Sequence, residues 1–219
     1  MIRVFVAICL AAVAFRADAG AWPQPKGEAF LSFSAEFPTT QGNSADRSLW
    51  LEYGLTPRVT VGFDGFFSGS GGDSTALAFV RLPIGQPAGA TRLAVSFALG
   101  QESGGLESGR AQGRIAWHWG RGLDKGWLAL DASATLTAGG TAPGLKADFT
   151  WGMRSRDRLM LIWQLQTGGD MDGAEFVKFA PTAAWAMGEK NRVQINLGLI
   201  VGLSGDSSRK VSLGLWQRF

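Results

Sequence analysis

Residues 211–219, VSLGLWQRF, carry Val211, Leu213 and Leu215 at every second position and end on Phe219 in the same phase. The alternate positions, Lys210, Ser212, Gly214, Trp216 and Arg218, are polar, small or amphipathic. Successive side chains of a β-strand point to opposite faces, so one face of this segment suits hydrocarbon and the other suits water.

The same period recurs upstream. Segments 27–37, 46–55, 58–67, 74–83, 91–101, 108–119, 126–137, 145–154, 158–168, 175–187, 190–203 and 209–219 alternate in the strand period between turn-rich connectors. About ten residues per segment is what a tilted strand needs to cross a bilayer, and an even number of strands returns both ends of the chain to one side. The pattern predicts an all-β fold: a membrane-spanning, up-and-down antiparallel β-barrel of 12 strands forming one domain over residues 20–219. A soluble β-sandwich shows the same alternation.

The connectors form two alternating sets. QGNSA, SGSGGD, ESGGLES, TAGGTAPG, GGDMDGA and SGDSS are rich in Gly, Ser and Asp, whereas Thr56-Pro57, IGQPAGA, GRGLDKG, Ser155-Arg156-Asp157 and Gly188-Glu189-Lys190 include the tightest turns.

The closing strand resembles that of bacterial outer-membrane β-barrels, and YGLTPRVTVGF, residues 53–63, is similar to hairpins of small outer-membrane channel and transporter families, including those for aromatic-compound uptake. The resemblance implies a bacterial outer-membrane location, contact with membrane lipid and lipopolysaccharide, and recognition of the strand ending at Phe219 by the barrel-insertion machinery. Short turns in such barrels are periplasmic and longer loops external, which puts the second connector set and both chain ends in the periplasm.

The amino-terminal stretch fits an exported protein. Arg3, the apolar run VFVAICLAAVAF and the A-x-A site Ala17-Asp18-Ala19 read as a signal peptide over residues 1–19, with the mature chain starting at Gly20. That run is too short for a membrane helix. Cys9 is the one cysteine and follows Ile8, which does not fit a lipidation site, so the mature chain is expected to hold no disulfide or Cys-ligated metal. Removing Arg3, Arg16 and Asp18 from 21 basic and 18 acidic residues leaves 19 and 17. That balance argues against a nucleic-acid partner. No cofactor is called for by any motif. The acidic loop containing Asp170, Asp172 and Glu175 lacks the spacing of a calcium-binding loop, and SGSGGD lacks the Lys-Ser/Thr of a phosphate loop.

Alternation assigns faces. Trp117, Trp119, Trp151 and Trp185 fall on the apolar face near the periplasmic strand ends, as an aromatic girdle requires. The inward face receives Glu52, Asp64, Arg81, Arg92, Arg110, Arg114, Asp131, Lys146 and Asp148, the candidate pore-lining residues. Counting from the connector between Trp119 and Trp127 sets Arg114 level with Asp131, with Asp148 near the same height, and Glu52 beside Asp64. The expected result is a mid-height belt with a basic and an acidic side, which either orients a polar solute at a constriction or plugs the lumen. His118, the sole histidine, is inward, with no Ser, Asp or Glu evidently beside it.

Three functions are consistent with this pattern: a narrow channel for passive diffusion of small polar or amphipathic solutes, a structural or envelope-interaction barrel with a plugged lumen, and an outer-membrane lipid-modifying enzyme. Small inward residues such as Ala94, Ser96, Ala98, Ser133, Gly198 and Gly214 favour the channel by leaving space.

Overall fold

A computed structural model describes residues 20–219 apart from 41–43, 86–88, 105–108, 141, 171–174 and 189–190. The signal segment and much of the acidic 168–175 loop therefore lie outside the described residues. The chain forms β1 (Ala29–Pro38), β2 (Asp46–Thr56), β3 (Val59–Phe67), β4 (Asp73–Ile84), β5 (Thr91–Gly104), β6 (Arg110–Leu123), β7 (Gly126–Thr137), β8 (Gly144–Arg156), β9 (Leu159–Asp170), β10 (Phe176–Met187), β11 (Val193–Ser204) and β12 (Arg209–Arg218). Each strand pairs with its chain neighbours, and β1 pairs antiparallel with β12 from Phe30↔Arg218 to Pro38↔Lys210, closing the barrel. The Phe219 N–H extends this seam by donating to the Ala29 carbonyl at 3.0 Å.

The alternation read from the sequence decides the two faces. Leu99, Leu136, Leu197, Leu199 and Leu203 are each more than half exposed on the outside, and Arg81, Glu52, His118 and Asn196 are buried inside. An apolar exterior around a polar interior inverts the soluble arrangement and excludes a β-sandwich: this is a membrane-spanning barrel. Trp117, Trp151 and Trp185 are exposed on the outer face, and Trp119 shares their strand parity with partial exposure. Trp151 packs on Trp163 with ring centroids 4.8 Å apart, which adds another tryptophan to that face.

The principal difference from the sequence reading is in length. β6 runs to Leu123 instead of stopping at Trp119, leaving only Asp124 and Lys125 between β6 and β7. A two-residue hairpin fixes register, here Leu123↔Gly126, and so brings His118 opposite Asp131 and Arg114 opposite Thr135. The level pairing of Arg114 with Asp131 is thereby corrected.

Before β1, the segment Gly20–Lys26 turns into the barrel at the end that carries the short turns. Pro23 and Pro25 lack N–H groups and keep it out of the sheet. Gln24 lies between them, and its N–H donates to Thr60 Oγ1 at 3.0 Å while its Nε2 donates to Glu52 at 2.6 Å. Lys26 then forms a parallel bridge with Gly54. Trp22 lies across Gly120, where an added Cβ would come 2.3 Å from the indole ring.

Candidate functional site

The charged inward residues fall into three levels. At the loop end, Arg110 pairs with Glu102 at 2.7 Å, Lys178 with Asp206 at 2.6 Å, and Lys210 with Asp46 at 2.6 Å and Glu36 at 3.2 Å. At the turn end, Arg92 folds back onto the carbonyls of Gly89 and Thr91. Arg92 and Arg110 therefore occupy opposite rims of the barrel.

Between the rims, the pairs concentrate on one wall. Arg81, the bulkiest fully buried side chain at 1% exposure, meets Glu52 at 2.6 Å and lies over the rings of Phe79 and Trp50 at 5.3 and 5.7 Å. Arg114 reaches Asp64 at 2.6 Å. Glu52 and Asp64 thus do not form an acidic pair; each has its own arginine. Lys146 pairs with Asp148 at 2.8 Å. Inward Leu77, Phe79 and Ala98, with Trp50, pack the same side.

His118 is better partnered than the sequence implied. Asp131 Oδ1 lies 2.6 Å from its Nδ1 and Ser96 Oγ lies 2.8 Å from its Nε2. These contacts follow from register, because Ala94 faces His118 across β5–β6 and Asp131 faces it across β6–β7. A tautomer with the proton on Nδ1 donates to Asp131 and accepts from Ser96. Sequence reading missed the constellation because it placed the β6–β7 turn too early; a two-residue Asp124-Lys125 turn would have revealed the Asp131 contact.

The wall made by β9 to β12 and β1 is different. Gln164, Thr182, Gln194, Asn196, Ser212 and Ser32 have the parity of inward residues, with Ala180, Ala184, Gly198 and Gly214 between them, and no charge occurs at these heights. This wall borders a cavity of about 320 Å³ that reaches the turn end. Its mouth combines Arg154, Arg192 and Arg218 with the aromatic rings of Phe30, Trp127 and Trp216. The expected belt with opposed basic and acidic sides is replaced by a filled, ion-paired wall facing one that is uncharged at mid-height and borders the cavity. Among the described residues, no group of three or more His, Cys, Asp or Glu is placed to hold a metal ion.

No family model matches the sequence, and no curated protein does. Solved structures share the fold. The KdgM porin superposes with a TM-score of 0.67 over 87% of this chain and 99% of its own at 8% identity. The NanC porin gives 0.64 over 84% and 98% at 7% identity, and Omp33, an outer membrane protein of Acinetobacter baumannii, gives 0.53 over 89% and 99% at 8%. The class defined by closure, strand number and inverted polarity is that of the membrane-spanning, 12-stranded antiparallel β-barrel, a fold shared with these structures.

Proposed function

We propose that the protein is a narrow outer-membrane channel for passive diffusion of small polar or amphipathic solutes, entering and leaving along the β9–β12 wall. The observation that carries this reading is the cavity of about 320 Å³ beside a wall of amides, hydroxyls and small side chains. A path of this composition holds a solute by weak, exchangeable hydrogen bonds, as conduction requires. Arginines beside aromatic rings at its mouth suit an amphipathic solute with an acidic group. One structure of the KdgM porin is a complex with disordered oligogalacturonate, an acidic ligand of that protein. An outer-membrane location is supported by the fold likeness and by the signal-like amino terminus, and the reading of Phe219 as the insertion signal draws support from its place at the β1–β12 seam.

The plugged-barrel reading rests on the Gly20–Lys26 strap and the ion pairs that fill the opposite wall. A lipid-modifying enzyme would draw on Ser96, His118 and Asp131, but Ser96 and His118 are buried on the lumen side, away from the hydrocarbon face where a lipid chain lies. Solute uptake by liposomes containing the refolded protein tests the proposal. Swelling with small solutes and exclusion of larger ones is expected. Folded protein that leaves the liposomes impermeable would favour the plugged barrel.

A further inference from the structure

The strap brings the first residue after the A-x-A site into contact with the His118–Asp131 pair. A Cβ added at Gly20 would lie 2.5 Å from Asp131 Oδ1 and 2.5 Å from His118 Nδ1, so the backbone there runs directly against the pair and a side chain would have to displace it. Ala21 is completely buried and Trp22 packs on the cluster of Trp127, Ala129 and Ile162, which anchors the segment there.

Among the described residues, the immediate surroundings are short of positive charge. Asp131 and Asp148 are register partners on β7 and β8. Lys146 pairs with Asp148 alone, and the second oxygen of Asp148 is buried without a hydrogen-bond partner. Among the described residues, Asp131 bonds to His118, whose other nitrogen is taken by Ser96. Among the described residues, two facing carboxylates thus share one paired lysine, which favours a further cation beside Asp131.

We propose that Asp131, set by His118 and Ser96, is a receptor for the chain's own amino terminus. The inference rests on cleavage between Ala19 and Gly20. Hydrolysis of that bond adds the hydroxyl of water to the Ala19 carbonyl and leaves an amine on Gly20, which takes up a proton at neutral pH. The resulting ammonium lies against Asp131, supplies that cation and locks the strap across the turn end beside the cavity. Export processing thus creates a lumen ion pair that the precursor, with an amide at Gly20, cannot form.

The test is amine labelling of the purified, folded mature protein with a water-soluble acylating ester, read by peptide mass spectrometry. The first peptide must begin at Gly20; any other start overturns the proposal. The Gly20 amine is expected to label at least roughly tenfold more slowly than in Asp131→Asn, in which Asn retains an acceptor for His118 but removes the charge that holds the amine protonated. Slow labelling that persists in folded Asp131→Asn would mean burial alone and would overturn the ion pair. If Asp131→Asn does not fold, a chain with one alanine inserted before Gly20 replaces it: labelling at the rate of urea-unfolded protein supports the receptor, and labelling as slow as the unaltered protein overturns it.

Discussion

Arg114 on β6 donates to the Asp64 carboxylate on β3 at 2.6 Å, passing over the two strands between them. It is a chord across the lumen on the filled side, and each partner keeps about a fifth to a quarter of its side chain in contact with solvent. Such a pair braces the wall more than it stabilises the fold. Arg114→Ala is expected to cost about 1 kcal/mol in denaturant unfolding, and Asp64→Ala in the same background should add little. A fully additive double mutant would show that the two side chains do not interact.

Glu52 and Arg81 are a different case, because both are buried and Gln24 completes the cluster. Glu52→Ala leaves a guanidinium enclosed without its counter-charge and is expected to cost about 3–5 kcal/mol. Glu52→Ala combined with Arg81→Met should recover much of that loss. The midpoint of heat-induced unfolding, followed by the gel-mobility change typical of barrels, reads both variants.

The loop after β11 provides the pH dependence. Burial pushes the Asp206 carboxyl up, but the bonds from Lys178 Nζ and the Ser208 N–H hold it down to about 2, against an ordinary value of 3.8. Its folded value lies below its unfolded value, so its contribution is complete above the unfolded value and is lost as pH falls through about 2. Protease access to residues 204–208 should therefore rise across that acid range. Asp206→Asn should show the same access at all pH values; an unchanged acid transition in that variant would contradict the assignment.

The facing of each strand can be tested on β11. Leu197, exposed on the outer face near the middle of the strand, should not tolerate Arg: a loss of about 2–4 kcal/mol is expected on folding into bilayers. Arg at the inward position 194 should cost much less. Equal penalties would contradict the alternation.

These faces were legible in the sequence because a period of two leaves no freedom once one face is apolar. Every inward charge identified from Glu52 to Asp148 lies on the strand parity that faces the lumen. Partners were less legible. His118 and Asp131 meet because β6 extends four residues past Trp119 before a two-residue turn, and strand ends carry no periodic signal. Arg114 and Asp64 lie three strands apart, so their contact depends on barrel curvature, which no local pattern encodes. Gly20–Lys26 has neither alternation nor length, and its role emerges only when Gln24 reaches Thr60 and Glu52.

Single-channel recording in planar bilayers decides whether solute passes along the β9–β12 wall. Refolded protein is predicted to give discrete, salt-dependent conductance steps, and Thr182→Trp, which places an indole in the cavity lining, is predicted to reduce them by more than half, an order-of-magnitude expectation for a narrow pore. Silence from protein shown to be folded, or steps unaltered by Thr182→Trp, would contradict passage along this wall.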